Sequence, residues 1–184
     1  MSQNTNQNTN QSTSQPAPLF QFSHQRLQYQ GRTVLDNLSL SIARGERVAL
    51  IGESGAGKST VLKALREQCP DQVAWCPQQP GLVPILSTFH NIYMGALTSH
   101  SLAYNLINLI KPLPGALNIV QPIAKQLGLE QQLFSSTDKL SGGQQQRTSI
   151  GRALIQQRPI FIGDEPVANV DEYQGEALLQ LICQ

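Results

Sequence analysis

The run Gly52-Glu53-Ser54-Gly55-Ala56-Gly57-Lys58-Ser59 fits the pattern GxxxxGK[ST]. Glycines let a backbone turn tightly enough to aim several N–H groups at phosphate oxygens, and a helix starting there adds its positive end. Lys58 would reach β- and γ-phosphates, and the Ser59 hydroxyl would ligate Mg²⁺. The competing reading is a Gly-rich turn that binds nothing. Against it, the four fixed positions coincide by chance on the order of a few times in 10⁵ start points at average composition. A second chemical pair is Asp164-Glu165, directly after Ile160-Phe161-Ile162-Gly163. Asp164 is suited to hold Mg²⁺ through a water, and Glu165 to orient and deprotonate an attacking water. Alone, two acids ending a strand would more often be an exposed turn. The charge layout agrees with the functional reading: residues 26–66 carry seven basic and three acidic residues, whereas 160–184 carry five acids and no base.

These groups need elements to hold them. Phe20 and Phe22, Leu27 and Tyr29, then Val34 and Leu35 predict short strands broken at Gln30-Gly31. Leu38, Leu40 and Ile42 alternate with Ser39 and Ser41, as in a half-exposed antiparallel strand. Val48-Ala49-Leu50-Ile51 is a continuous apolar run and predicts a strand buried on both faces, leading into the glycine-rich loop. Val61, Leu62 and Leu65 predict a helix over Lys58–Gln68, stopped by Pro70, and residues 73–76 the next strand. Residues 88–140 read as a helical insertion with breaks at 111–115 and at Gly128; a further helix bears Ile150, Ala153 and Leu154. Residues 160–162 form another buried strand, and 172–182 a last helix. Gly151 in its helix is expected to cost up to about 1 kcal/mol, and Gly163 to loosen the end of its strand.

Leu140-Ser141-Gly142-Gly143-Gln144-Gln145-Gln146-Arg147 opens a predicted helix, and a Ser-Gly-Gly run at a helix start can again present N–H groups to an anion. With this segment the chain resembles the ATP-binding cassette (ABC) family, whose signature is LSGGQ. The resemblance spans residues 20–184. It implies an α/β P-loop NTPase fold with an N-terminal antiparallel β part, a parallel core sheet and an inserted helical subdomain. It implies ATP and Mg²⁺ as ligands, with Gly52 to Thr60 (Gly52, Glu53, Ser54, Gly55, Ala56, Gly57, Lys58, Ser59, Thr60) holding the phosphates. Ser141, Gly142, Gly143 and Gln144 would close on the γ-phosphate of nucleotide bound to a second cassette, in a head-to-tail homodimer. Tyr29 matches the aromatic that stacks on adenine, although a lone Tyr is more often core or strand surface. Gln78 matches the glutamine that touches Mg²⁺ and the lytic water, with Gln79 as the neighbouring alternative. Asp171 stands where the family's D-loop aspartate falls, and Asn169 departs from that loop's usual SALD. Leu140 to Glu172 is most similar to phosphonate or phosphate import ATPases.

Transmembrane permease subunits are the implied direct partners, and a solute-binding protein an indirect one. Docking would use roughly residues 81–109, where Tyr93, Leu97, Leu102, Tyr104 and Ile107 either pack in the helical core, as their types favour, or stand partly exposed. His24, His90 and His100 match no family position and read as surface or loop residues. The family's switch histidine would lie beyond Gln184, so the cassette is expected to be incomplete at its C-terminus and hydrolysis slowed. The alternative is a nucleotide-binding remnant or regulator with little turnover. A cassette of translation or DNA repair would carry tandem copies or a long coiled-coil insertion, and neither occurs here.

At 184 residues the chain makes roughly one domain at about 150 residues each. Thirteen basic and twelve acidic residues leave a net charge of +1, which disfavours nucleic acid as a partner. No stretch approaches about 18 apolar residues, and the start has neither basic nor apolar signal-peptide regions. A cytoplasmic protein, peripheral on the cytoplasmic face of the inner or plasma membrane, is the implied location. Residues 1–18 are mostly polar with no charged side chain, and read as a disordered tail before an ABC domain at 19–184. Cys69, Cys76 and Cys183 fit no metal or redox spacing and read as gap-filling residues.

Overall fold

The computed structural model describes residues 17–168 and 172–182. The expected tail falls almost entirely outside them, as do Asn169, Asp171 and Cys183. Strands β1 (Phe20–Tyr29) and β2 (Arg32–Ile42) form an antiparallel hairpin with Phe20 opposite Ile42 and Leu27 opposite Leu35. Gln30 and Gly31 both have positive φ, 50° and 76°, the pairing of a type I′ turn whose twist matches that of the strands. Phe20, Phe22, Leu27 and Ile42 are buried while Ser39 and Ser41 face solvent, so the alternation is as read. The two segments expected around Val34 and Leu38 are one continuous strand.

Helix α1 (Lys58–Gln68) lays Val61 and Leu65, one turn apart, on this hairpin. Strand β3 (Val73–Cys76) pairs in parallel with β4 (Ile160–Gly163), Val73 opposite Ile160 and Cys76 opposite Gly163. Period-2 alternation makes this pair a partition. Val73, Ile160 and Ile162 face the core shared with the hairpin and α1, whereas Ala74, Cys76 and Phe161 face a second core built by helices. That second core joins α2 (Thr88–Tyr93), a 3-10 turn at Met94–Ser99, α4 (Pro114–Gln126) and α5 (Gly142–Leu154) around Phe89, Ile92, Val120 and Ile150, with Leu178 of α6 (Glu172–Ile182) against it.

Several expectations are corrected. Residues 48–51 are not a buried strand: they join no ladder, and Val48 and Ile51 are 46% and 95% exposed. A strand is buried on both faces only between neighbours, and among the described residues the parallel sheet contains β3 and β4 alone. Only Leu50 packs, against the hairpin core. The break at 111–115 is shorter than read, because Pro114 opens α4, where its fixed φ suits the first helical turn. Gly163 does not loosen β4: a Cβ there would stand 2.8 Å from Pro166 and 3.0 Å from Phe161, so the close packing requires its absence. Gly151 similarly admits Leu127 and Ile92, whose Cδ1 methyls would lie 3.0 and 3.2 Å from an added Cβ.

The five candidate docking residues split. Tyr93 is buried and Tyr104 packs at the edge of the helical core, while Leu97, Leu102 and Ile107 are exposed. With Leu106 and Ile110, Leu102 lies on an apolar surface of α3 (Leu102–Ile110) that faces solvent. His90 is half-buried and lies within α2, not in a loop. Its Nε2–H donates to Asn108 O (3.2 Å) and its Nδ1 meets the Ser87 hydroxyl (2.7 Å), a pattern that the neutral Nε2–H tautomer satisfies.

Candidate functional site

The glycine-rich loop occupies residues 52–57 between the unpaired apolar segment and α1. Gly57, the helix N-cap, has φ 92°, and a Cβ there would stand 2.7 Å from Val34, so both conformation and space demand glycine. No side chain caps α1 and no acid sits in its first turn. Its leading N–H groups at Lys58, Ser59 and Thr60 are therefore open to an external anion. Lys58 is folded back over the loop, its Nζ donating to Gly52 O (2.8 Å) and Glu53 O (2.9 Å). A phosphate entering the loop would compete with two neutral carbonyls for that charge, and a charged acceptor wins. Glu53, Ser54, Gly55 and Ala56 lie exposed around this mouth. Tyr29 ends β1 half-exposed, with the Lys63 ammonium of α1 5.4 Å from its ring centre, so the ring stands beside the helix that begins at Lys58.

The second half of the site sits at the C-terminal ends of β3 and β4, where ligands bind in open α/β sheets. Asp164 N–H donates to Cys76 O (2.9 Å), prolonging the parallel pairing by one bond, and Asp164 as a residue is 7% exposed. Glu165 has φ 51°, a left-handed conformation that non-glycine residues adopt at a cost and that clusters at functional sites. Its Oε2 accepts a hydrogen bond from Gln78 Nε2 at 3.0 Å. It is Gln78, of the two glutamines considered, that the structure brings to the acid.

The third part is the start of α5. Ser141 is its N-cap in a full capping box: Gln144 N–H donates to Ser141 Oγ (3.3 Å) and Ser141 N–H to Gln144 Oε1 (2.9 Å). Gln145 Nε2 ties the approach by donating to Thr137 O and Leu140 O. Ser141 and Gly142 remain exposed, so an anion could reach the hydroxyl and the helix end. A cleft of about 370 Å³ lies between Gln79, Leu82 and Pro84 on one side and Thr137, Asp138 and Gln145 on the other.

For magnesium, the donor set fits. Ser59, Gln78 and Asp164 offer hard oxygens, as Mg²⁺ prefers. Mg²⁺ is commonly held by one or two protein oxygens together with substrate phosphates, so a small donor set suffices. Motif reading missed Arg152, Asn91 and Thr137, whose side chains hold the loop that follows Gln78. The signal available was an arginine and an asparagine at otherwise apolar helix positions.

The sequence pattern of the ABC transporter family matches residues 35–168, a stretch that includes the glycine-rich loop, Gln78, the Ser141 turn and both acids. The chain belongs to the ABC transporter family. As an ABC-type ATPase it binds and hydrolyses ATP, on the fold expected for that class. The phosphonates import ATP-binding protein PhnC 1 of Pseudomonas syringae pv. tomato is 35% identical over 181 residues, covering 84% of this chain and 67% of that protein. PhnC of Rhizobium meliloti is 30% identical over 190 residues, 89% of this chain and 67% of its own length. Among solved structures, the dimeric bacterial ABC transporter cassette MJ0796 superposes with a TM-score of 0.72 at 26% identity, over 88% of this chain and 80% of that one. Its post-hydrolysis state, bound to ADP and Pi, gives a TM-score of 0.69 over the same shares. Tyr29 and Asp171 lie outside the matched stretch of the ABC family. No helix among the described residues of this ABC chain is long and apolar enough to cross a membrane.

Proposed function

We propose that this chain is the nucleotide-binding subunit of an importer, of the class that handles phosphonates, working as a head-to-tail pair of cassettes. Lys58 and the N–H groups of 52–60 hold the phosphates, and Tyr29 stacks on the adenine. Ser59, Gln78 and Asp164 would hold Mg²⁺, which would supply positive charge against the nucleotide's phosphates. Glu165 orients the attacking water and accepts its proton. Ser141, Gly142, Gly143 and Gln144 cover the γ-phosphate held by the second cassette, with Asp171, outside the described residues, at the seam. The hydrogen bond from Gln78 to Glu165, at the ends of two parallel strands, supports this reading most. It joins the residue that follows one strand to the acid that follows the other.

The assembly extends the reading. Closure of the pair on ATP and its reopening on hydrolysis would move a permease seated on the Gln78 loop and the exposed apolar face of α3. The chain then lies peripherally on the cytoplasmic face of the membrane, its 19–184 domain preceded by a polar tail. Titration calorimetry with Mg²⁺ and ATP should register binding in the wild type and at least a hundredfold weaker binding in Lys58→Ala; equal heats from both would overturn the assignment. Steady ATPase activity should be present in the wild type and lost in Lys58→Ala; turnover that survives the change would overturn the role given to Lys58.

A further inference from the structure

Arg152 lies near the C-terminal end of α5, half-buried, and burial holds its pKa below the ordinary arginine value. Burial and the neighbouring Cys76 are what act on the Arg152 charge, with no carboxylate among its neighbours within the described residues. Its guanidinium donates instead to two successive backbone carbonyls, Nη1 to Gly81 O at 2.9 Å and Nη2 to Pro80 O. Ser149, one turn earlier on the helix, adds a bond from its hydroxyl to Pro80 O (3.5 Å). Partial burial costs this guanidinium solvation, and the two charge-assisted bonds to loop carbonyls offset that cost. Its work is to hold the loop.

That loop is the one carrying Gln78. Pro77, Pro80 and Pro84 deprive it of three backbone donors, so side chains must fix its path. Asn91, fully buried, pins the far end, accepting from Val83 N–H (2.8 Å) and donating to the carbonyls of Val83, Leu86 and Ser87. Arg152 pins the near end, two residues beyond Gln78. The helix that bears Arg152 begins at the Ser141 cap, about 16 Å away at 1.5 Å per residue. Its end is wedged: a Cβ on Gly95 would lie 2.1 Å from Arg152 O.

We propose that Arg152 is a positioning residue that makes the seating of α5 and the Gln78–Glu165 contact one motion, so that a displacement of the Ser141 end is felt at Gln78. This deepens the functional reading above and rests on its assignment of Gln78 and Glu165. Arg152→Ala and Arg152→Lys, each in the wild-type and the Gln78→Ala background of the full chain, test it. In the wild-type background Arg152→Ala should lower kcat for ATP at least tenfold with KM for ATP within twofold. In the Gln78→Ala background the same change should cost less than twofold. Lys keeps the charge but not the two-pronged fork, so Arg152→Lys should fall between. Hydrogen–deuterium exchange without nucleotide should be at least tenfold faster over residues 79–82 in Arg152→Ala and unchanged over 53–60. Equal losses of kcat in both backgrounds, or unchanged exchange over 79–82, would overturn the proposal. Should the wild type lack Lys58-dependent turnover, the functional reading fails, and the exchange comparison still decides whether Arg152 holds the loop. Arg152→Lys carries both measurements if Arg152→Ala does not fold.

Discussion

Cys76 has no exposed surface, and its sulfur lies 3.9 Å from the Ser149 hydroxyl. Burial pushes the thiol up, more than Ser149 and the Arg152 charge pull it down. The native chain thus keeps a proton that the unfolded chain loses above the ordinary thiol value near 8.5. With the folded pKa raised, the contribution to stability is whole below that value and is lost as pH rises through the folded one. Urea midpoints measured from pH 7 to 10 should therefore fall more steeply for the wild type than for Cys76→Ala. Parallel curves would contradict the assignment, since Cys69, also raised by burial, is present in both proteins. The gap-filling role of Cys76 was legible from its type. The dependence of Arg152 on two carbonyls 71 and 72 positions away was not, because nothing local marks a long-range acceptor.

At the scale of elements, α1, β3 and α6 have the boundaries expected, since each is written locally: apolar residues three and four apart, or a short apolar run beside a proline. Residues 48–51 fail for the opposite reason. Their apolar run states what could be buried, while burial itself needs a neighbour on each edge. Gly151 makes the same point within α5. Helix propensity alone favours Gly151→Ala by up to about 1 kcal/mol. The added methyl would press on Ile92 and Leu127, both in the helical core, and overpacking costs about 1–3 kcal/mol. We expect Gly151→Ala to be destabilised by about 1 kcal/mol in chemical denaturation; a gain would mean that both side chains repack. The three chemical segments themselves were legible because loops that bind anions are spelled in consecutive residues, and the structure joins Gln78 to Glu165 across 87 positions.

For the whole molecule, the partition formed by β3 and β4 places the Gln78 loop and both acids at one end of two cores. The Ser141 turn opens α5, which packs against that same partition. If turnover separates the paired cassettes, Glu165→Gln, which removes the base but keeps the size and a hydrogen-bonding group, should hold them together. Gel filtration of that variant with Mg²⁺ and ATP should give a dimer that ADP does not; monomer under both conditions would refute the paired arrangement.

The glycine-rich loop is sprung from α1 on one side and, on the other, from residues 48–51, which no backbone hydrogen bond joins to a described strand. An anion captured there must stiffen its own footing. Each residue so frozen withdraws on the order of 1 kcal/mol, about fivefold in dissociation constant, from the grip itself. Anything that lays a strand along 48–51 will accordingly tighten nucleotide without touching it, and bound nucleotide will tighten that strand by the same factor.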